Sequence, residues 1–222
     1  MNKIKSAYKA LGKTDFYDGM MTCTTFSGKL VSRLVWGMGE AENNEYVSKA
    51  MSGIPKDFSG RLLEVPVGTG VLSMPLYKTL PNADITCLDY SPEMMSRAET
   101  RAANMRIKNV NFVQGDVGNL QFWDNSFDIV LSMNGFQVFP DKEAAYSETY
   151  RVLKKGGIFC GCFYIKGELR RSDWFIGHPY AARGFCSPPF ETRDSLENRL
   201  KSMYETVEIE TVKSIACFRC VK

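Results

Sequence analysis

From residue 61 onward, short apolar runs alternate with longer segments whose apolar residues recur at helical spacing. The short runs predict β-strands at 62–65, 84–89, 110–114, 127–132 and 157–163, and helical segments lie between most of them. Strands that alternate with helices in this way form βαβ units, in which helices cover both faces of a parallel sheet. The pattern therefore predicts an α/β fold with a doubly wound sheet.

The first part of the chain has no strand pattern. Apolar residues within 26–35 and 40–51 recur at helical spacing, and a proline-containing break follows. We therefore expect 1–59 to form a helical N-terminal cap on a larger body, 60–222.

The chain after the fifth predicted strand divides into three parts. Residues 165–191 combine glycine, proline and aromatic residues without a period, which predicts a long loop or lid. A helix is predicted at 194–204. Two final strands, 206–213 and 214–222, predict an antiparallel hairpin at a sheet edge. Together with the earlier strands, this hairpin completes a Rossmann-like sheet of seven strands.

Two helices carry specific end signals. The predicted helix 142–155 ends in Lys154-Lys155-Gly156, which places cations in the last turn and a glycine at a left-handed cap. At the start of the helix 194–204, Asp194 and Glu197 are spaced as a capping box.

Length and charge narrow the classes of function. The chain has 222 residues, which fits one domain with a small addition. Its 28 basic and 25 acidic residues give a net charge of +3, too weak and too evenly spread to indicate a nucleic-acid groove or an anionic membrane surface. No apolar run approaches the ~20 residues of a membrane span, and no apolar signal-peptide core follows the N-terminus. We therefore expect a cytoplasmic protein with no nucleic-acid partner and no stable membrane insertion.

The cysteines do not indicate a disulfide framework or a metal site. Seven of them are scattered over the chain, which favours free thiols in a reducing compartment. Cys160 lies close to Cys162, and Cys217 to Cys220, but no histidine is near either pair. We therefore expect no zinc site.

The strongest chemical signal is a glycine-rich turn after the first predicted strand. Glu64 closes that strand, and Gly68, Thr69 and Gly70 follow it. Glycine suits a bend where the backbone adopts positive φ or lies against a ligand, and a helix after such a bend directs free N–H groups at that ligand. Ser73 stands in place of the third glycine of the dinucleotide fingerprint, which makes a nicotinamide cofactor less favoured.

Two carboxylates follow the next two predicted strands. Asp89 closes the second strand, where an acid roughly 20 residues past the glycine turn accepts hydrogen bonds from both ribose hydroxyls. Asp116 follows the third strand, where a carboxylate can accept a hydrogen bond from an adenine amino group. Each acid alone is equally compatible with an ordinary strand end or turn. In this order beside the glycine turn, the two acids predict adenosine binding.

The run from Arg61 to Tyr164 resembles the class I S-adenosylmethionine-dependent methyltransferases. The segments that carry the likeness, in that family's order, are 64–70, 88–95, 112–116, 127–130 and 151–157. The resemblance implies S-adenosylmethionine as the cofactor and S-adenosylhomocysteine as its product. It leaves the acceptor and the oligomeric state open.

A narrower likeness is to the C-methyltransferases of ubiquinone and menaquinone biosynthesis. Tyr17-Asp18-Gly19-Met20, Ser27-Gly28 and Trp36 are similar to the N-terminal pattern of that branch. Pro66 stands where the family usually has glycine, and 133–136 lacks the arginine expected after the fourth strand of the quinone enzymes. The C-terminal part of the chain does not match this branch.

The family resemblance implies a role for each matching residue. The glycine turn would hold the methionine end of the cofactor, Asp89 the ribose, and Asp116 the edge of the adenine. Asn134 would lie beneath the sulfonium, and Tyr17 would close over the methionine end. The full set of implied cofactor-binding residues is Tyr17, Glu64, Pro66, Gly68, Thr69, Gly70, Asp89, Tyr90, Met94, Gly115, Asp116, Val117 and Asn134.

Aromatic residues outside the predicted sheet indicate an apolar acceptor pocket. They are Phe16, Phe26, Trp36, Trp174, Phe175, Tyr180, Phe185 and Phe190. Core packing is the alternative for each of them. Together these residues would form an aromatic roof over the pocket, which would suit a small, apolar or aromatic acceptor.

His178, the only histidine, is the catalytic candidate within the predicted lid because its usual pKa suits a general base. The alternatives are Tyr17, Tyr164 and Tyr180 as the base, or an exposed loop histidine without a catalytic role. The sequence thus predicts methyl transfer from S-adenosylmethionine to a small molecule by in-line displacement. A nicotinamide-dependent oxidoreductase and a non-catalytic adenosyl-binding module are the alternative functions.

Overall fold

One seven-stranded sheet lies at the centre of the structure, a computed structural model that describes residues 16–222. Its strands are β1 (Arg61–Glu64), β2 (Asp84–Asp89), β3 (Val110–Gln114), β4 (Phe127–Met133), β5 (Leu153–Tyr164), β6 (Thr206–Val212) and β7 (Ile215–Val221). They follow the order β3-β2-β1-β4-β5-β7-β6. Strands β1 to β5 are parallel, and β7 is antiparallel to both β5 and β6. The predicted α/β, doubly wound sheet with a C-terminal antiparallel hairpin is confirmed.

Helices cover both faces of this sheet. Before β1 lie α1 (Phe16–Met21), α2 (Phe26–Val31), a π-helical turn (Ser32–Trp36) and α3 (Glu40–Ala50). Between the parallel strands lie α4 (Met74–Tyr77), α5 (Pro92–Asn104) and α6 (Lys142–Val152). After β5 lie α7 (Arg170–Phe175), a second π-helical turn (Ile176–Tyr180), α8 (Ala181–Arg183) and α9 (Arg193–Met203).

Successive residues of the central strand β1 pack on opposite faces of the sheet, as the pleat requires. Leu62 joins the hydrophobic cluster that contains Tyr46 of α3 and Ala98 of α5. Leu63 joins the cluster that contains Tyr146 of α6 and further residues of α9. Because both faces of the sheet are covered, its accessible part is the rim where the strands end.

Two predicted helix ends are wrong. The helix that begins at Lys142 ends at Val152 rather than at residue 155, because Leu153 is extended, fully buried and paired with Phe127 of β4. Lys154 therefore lies in β5, where its ammonium group pairs with Asp128 at 2.7 Å. The predicted glycine cap does not form.

The last helix is capped by other residues than those predicted. The hydroxyl oxygen of Thr192 accepts a hydrogen bond from the Ser195 amide at 3.2 Å, and Thr192 is the N-cap. Asp194 lies within the first turn, and Glu197 pairs with Lys201 instead. The free amide at the start of this helix is thus capped by the hydroxyl of Thr192 and not by the carboxylate of Asp194.

The predicted lid, 165–191, contains more helix than expected. It holds α7, the second π-helical turn and α8. These helices were not predicted because a π-helical turn does not follow the α-helical period, so the apolar residues of this segment show no regular spacing. Residues 1–15 of the predicted N-terminal cap lie outside the described residues. Within 16–222, no helix combines the length and apolar character needed to cross a bilayer.

Candidate functional site

A cavity of about 150 Å³ lies at the carboxyl ends of β1, β2, β3 and β4. Strand order reverses here, since β1 and β4 are neighbours at the centre of the sheet. Ligands of doubly wound folds bind at such a reversal. Every residue that the sequence analysis assigned to cofactor binding lines this cavity, which we call the rim cavity.

The glycine turn forms the floor of the rim cavity. Gly68 and Gly70 both have positive φ values, +56° and +66°. A Cβ atom on Gly68 would have only the Tyr17 hydroxyl oxygen, at 3.9 Å, within van der Waals range, so this glycine opens onto the cavity. A Cβ atom on Gly70 would lie 2.9 Å from the Met74 side chain, so this glycine allows close packing instead. The two glycines thus serve different purposes.

Asp89 fixes the glycine turn against the end of β2. Its Oδ2 accepts a hydrogen bond from the Gly68 amide at 2.7 Å, and its Oδ1 accepts one from the Ser91 amide at 2.8 Å. Burial raises the pKa of this carboxyl group to about 6, although the backbone amides partly oppose the shift. A third backbone hydrogen bond, from Tyr90, also acts on this carboxylate, whose two oxygens have about four acceptor sites and can therefore still accept from a ligand hydroxyl.

Glu64 provides a second carboxyl group at the base of the rim cavity. It is buried at the end of β1 and accepts a hydrogen bond from the Tyr77 hydroxyl at 2.9 Å. Burial raises the pKa of Glu64 to about 8. A cation placed beside it would favour the ionised form and lower that pKa.

The other side of the rim cavity is a narrow slot after β2 and β3. The half-exposed ring of Tyr90 and the buried Met94 lie on the β2 side. Gly115, Asp116 and Val117 lie after β3, and the Asp116 carboxylate accepts a hydrogen bond from the Gly118 amide at 2.9 Å. Apolar walls beside one carboxylate suit a flat polar ring such as adenine.

Asp18 is a site residue that the sequence analysis did not single out. Its Oδ1 accepts a hydrogen bond from the Thr69 hydroxyl at 2.6 Å, and its Oδ2 accepts from the guanidinium groups of Arg97 and Arg101 at 2.8 and 2.6 Å. Arg101 also donates to the Thr69 carbonyl at 3.1 Å. The pattern around Tyr17 contained this residue, but only the fold shows that it joins α1 to the glycine turn.

Tyr17 stands beside Asp18 and closes the rim cavity from α1. Its hydroxyl group faces Gly68 across the cavity. Burial and the neighbouring carboxylates of Asp89 and Asp18 raise the pKa of this phenol above its usual value. The phenol is therefore protonated at neutral pH and available as a hydrogen-bond donor.

A second cavity of about 260 Å³ adjoins the rim cavity. The two share Tyr17, Met21 and Asn134 as a common wall. We call the second one the inner cavity. Its aromatic lining consists of Phe16, Trp36, Tyr46, Tyr180 and Phe185, together with Tyr17, and its polar lining includes Ser32, Asn43, Gln137 and Arg183.

Asn134 occupies the boundary between the cavities. It follows β4 with a positive φ of +56°, a conformation that asparagine tolerates better than most residues. Its side-chain nitrogen is buried and makes no hydrogen bond of normal geometry among the described residues, although it lies close enough to the Tyr46 hydroxyl to offset in part the rise that burial causes in the pKa of that phenol. An unpaired buried donor is costly, so this amide is placed to meet a ligand.

The predicted aromatic roof is only partly present. Four of its members line the inner cavity: Phe16, Trp36, Tyr180 and Phe185. Phe175 and Phe190 instead pack against the hydrophobic core. Phe26 and Trp174 are exposed to solvent.

His178 lies on the second π-helical turn and lines neither cavity. Its ring is exposed, stacks on Trp174, and has Nδ1 2.9 Å from the Trp174 carbonyl oxygen. The structure therefore does not bring His178 to the cofactor-binding residues, and its catalytic role stays a prediction. Of the alternative bases, Tyr17 and Tyr180 reach the inner cavity, whereas the Tyr164 hydroxyl donates to Asp173 at 2.7 Å.

Part of the chain matches the model of a known protein family. Residues 62–157 match the family described as "Methyltransferase domain". This part of the chain is therefore similar to a methyltransferase domain. The match spans the glycine turn, the strand-end acids and the start of β5, and it confirms the resemblance that the sequence analysis identified.

Curated relatives match about half of the chain. One is a 2-methyl-6-phytyl-1,4-hydroquinone methyltransferase of Oryza sativa subsp. japonica, 32% identical over 114 residues, which covers 51% of this chain and 32% of the relative. Another is the demethylmenaquinone methyltransferase of Thermus thermophilus, 38% identical over 111 residues, which covers 50% of this chain and 48% of the relative. The chain thus spans half or less of the length of these relatives.

A solved structure shares the complete fold. The S-adenosylmethionine-dependent methyltransferase of Thermotoga maritima described as a possible histamine N-methyltransferase superposes with a TM-score of 0.66. The alignment covers 94% of this chain and 100% of that one at 19% identity. At that identity the likeness establishes the fold of the methyltransferase domain and not its acceptor.

Proposed function

We propose that this protein transfers the methyl group of S-adenosylmethionine to a small, largely apolar or aromatic acceptor. The rim cavity would hold the cofactor, and the inner cavity would hold the acceptor. The observation that carries the proposal is the wall shared by the two cavities, because Tyr17 and Asn134 border both. An in-line displacement needs the donor and the acceptor on opposite sides of one methyl group, and adjoining cavities provide that arrangement.

The residues of the rim cavity fit the cofactor. Gly68 leaves open the space that a side chain would fill, and the Asp89 carboxylate keeps free lone pairs for ribose hydroxyls. The slot beside Asp116 suits the adenine, as described above. The buried carboxyl group of Glu64 suits the ammonium group of the methionine end, since that cation would favour ionisation of Glu64.

The inner cavity favours an acceptor with an apolar ring and a polar substituent. Trp36, Tyr180 and Phe185 offer aromatic surfaces for a ring. Gln137 and Arg183 offer polar contacts in the same lining, and the Arg183 guanidinium group suits an acidic substituent. The two quinone-pathway relatives, named above for methyltransferase activity on hydroquinone and demethylmenaquinone, support a ring-containing acceptor.

The main contribution of this chain to the reaction would be to align the donor methyl group with the acceptor atom. When bound, S-adenosylmethionine supplies a sulfonium-activated methyl group, whose C–S bond breaks as the bond to the acceptor forms, with the electron pair returning to sulfur. Holding the reacting atoms in line contributes on the order of 7–11 kcal/mol in favourable cases. Tyr17 and Asn134 would orient the donor and the acceptor at the shared wall, while the aromatic lining would exclude water.

Calorimetric titration with S-adenosylhomocysteine tests the proposal. We expect the wild-type protein to bind this product and Asp89→Ala to lose at least about 100-fold in affinity, because the change removes the ribose contact and loosens the glycine turn. Asp84→Ala is the matched control, since Asp84 begins the same strand β2 at its opposite end. Binding that is equal in all three proteins, or binding of NADH in place of S-adenosylhomocysteine, would overturn the proposal.

A further inference from the structure

An exposed apolar stripe runs along α2 and the π-helical turn after it. Phe26, Leu30 and Leu34 are spaced four residues apart, and their exposed fractions are 87%, 48% and 49%. Val35 on the opposite side of the same segment is buried in the core. The segment therefore presents large apolar side chains on both its inner and outer sides, whereas a helix at a water-exposed surface normally keeps its outer face polar.

Basic residues lie beside this stripe. Lys29 and Arg33 are exposed on the same segment, and Arg170 and Arg171 are exposed on α7. Trp174, also on α7, has an exposed fraction of 56%. Phenylalanine, leucine and tryptophan next to lysine and arginine are the composition of surfaces that lie in the interface of a lipid bilayer.

The two helical segments form one rigid surface. The Arg171 guanidinium group donates to the Arg33 carbonyl oxygen at 2.8 Å, and the buried Ser172 hydroxyl donates to the Val35 carbonyl oxygen at 2.7 Å. We call the stripe, its basic residues and Trp174 the α2–α7 surface. Because these hydrogen bonds hold the two segments together, their apolar and basic groups would approach a partner as one unit.

Three acidic side chains offset part of the positive charge of this surface. Glu40 pairs with Lys29 at 3.5 Å, Asp173 accepts a hydrogen bond from the Tyr164 hydroxyl at 2.7 Å, and Glu168 is exposed just before α7. The four basic side chains of Lys29, Arg33, Arg170 and Arg171 outnumber these three acids by one, so the surface keeps a small positive charge. The small net charge of the chain did not indicate such a surface, since charges of both signs elsewhere cancel in the sum. A partner feels the charges within about 8–10 Å, the screening length at physiological salt.

We propose that the α2–α7 surface docks this protein onto an anionic lipid bilayer. The apolar side chains would enter the headgroup region, and the basic side chains would pair with lipid phosphates. The docked segment also forms a wall of the inner cavity, since Ser32 and Trp36 line that cavity from its π-helical turn. Docking would thus bring the inner cavity next to the lipid, and it stands independently of the proposed methyl transfer.

Co-sedimentation with vesicles tests the docking. The vesicles are phosphatidylcholine alone or phosphatidylcholine with about one third phosphatidylglycerol, and no cofactor is added. We expect the wild-type protein to bind the anionic vesicles, with weaker binding at 0.5 M than at 0.1 M salt because exposed charges are screened. The triple variant F26S/L30S/L34S should lose at least about 10-fold in partitioning. An Arg33→Glu and Arg170→Glu double variant should lose the preference for anionic lipid.

Matched controls separate docking from unfolding and from self-association. Trp123→Ser should bind like the wild type, because Trp123 is 88% exposed on the loop before β4, away from α2 and α7. All variants should stay folded at the assay temperature, as melting curves would show, because about half or more of each changed apolar side chain is exposed. Equal vesicle binding by the triple variant and the wild type, or no wild-type binding to anionic vesicles, would overturn the docking. A concentration-dependent dimer that the triple variant abolishes, without vesicle binding, would assign the surface to a second copy and would also overturn it.

Discussion

The rim cavity and the inner cavity are neighbours, but they are assembled in different ways. Apart from Tyr17 and Met21, the rim cavity is built from one continuous stretch, residues 64–140, in the loops that follow β1 to β4. The inner cavity draws residues from 16–46, 134–137, 180–186 and Ile215. Backbone geometry shapes the first cavity, whereas side-chain packing between distant segments shapes the second. The family match at 62–157 includes most of the residues that line the first cavity and only Asn134 and Gln137 of those that line the second.

Filling the floor of the rim cavity should have the largest effect. In Gly68→Leu, the new side chain would enter the space proposed for the cofactor and would strain a left-handed residue by about 1–2 kcal/mol. We expect no measurable binding of S-adenosylhomocysteine by calorimetry. The inner cavity should be unchanged.

Gly156→Leu is the control for this variant. Gly156 also has a positive φ, +74°, but a Cβ there meets nothing within 4 Å and the residue lies in β5, away from both cavities. It should show a similar loss of stability and normal affinity for S-adenosylhomocysteine. If both variants bind alike, Gly68 does not face the cofactor.

Weakening the attachment of α1 to the glycine turn, the floor of the rim cavity, should have an intermediate effect. Asp18→Asn removes the negative charge that pairs with Arg97 and Arg101 while keeping the side-chain shape. The pair is largely buried, so we expect a loss of about 2 kcal/mol in the free energy of unfolding, between the values for exposed and buried ion pairs. Affinity for S-adenosylhomocysteine should fall about 10-fold, because Tyr17 and Thr69 lose their common anchor.

The comparison for this variant is Glu40→Gln. That change breaks the exposed pair with Lys29, which should alter the unfolding free energy by less than about 0.5 kcal/mol in urea titrations. A second outcome is that Asp18→Asn matches Glu40→Gln both in the free energy of unfolding and in affinity for S-adenosylhomocysteine. That result would show that Asp18 does not hold α1 to the glycine turn.

The pH dependence of stability should show the smallest effect. The folded protein raises the pKa of Glu64 from 4.5 to about 8 by burial. Between these values the folded state holds more protons than the unfolded state, so stability falls as the pH rises. One proton per molecule is worth about 1.4 kcal/mol for each pH unit. We therefore expect the wild-type melting temperature to fall by a few degrees between pH 6.5 and 8.

Glu64→Gln should flatten this profile, because an amide keeps the hydrogen bond with Tyr77 and cannot ionise. The chosen range lies above the pKa of about 6 for Asp89, whose titration would otherwise contribute a fall of the same sign at lower pH. Melting curves followed by circular dichroism measure both proteins. A profile of equal slope in both would assign the pH dependence to other groups.

The sequence predicted the fold and the rim cavity well for a physical reason. Strand periodicity located every strand of the parallel sheet, and the chain order of Glu64, Gly68, Asp89 and Asp116 then placed all of them at one rim. That reasoning needs only backbone rules, because the carboxyl ends of parallel strands meet at one edge. The start of β5 was missed, because Leu153 follows its helix directly into pairing with β4.

The inner cavity could not be predicted to the same degree. Aromatic composition indicated it, yet Trp36 faces the cavity while Trp174 faces solvent, and nothing local distinguishes them. The helices within 165–191 were also missed, because their π-helical turns break the period. His178 lies on one of those turns, which is why its direction could not be inferred.

A crystal structure of the protein with S-adenosylhomocysteine would locate the cofactor relative to both cavities. We expect ribose hydroxyls on the Asp89 carboxylate, adenine beside Asp116, and the sulfur atom at the wall between Tyr17 and Asn134, with its open side toward the inner cavity. A ligand bound elsewhere, or one whose sulfur atom points away from the inner cavity, would contradict this arrangement.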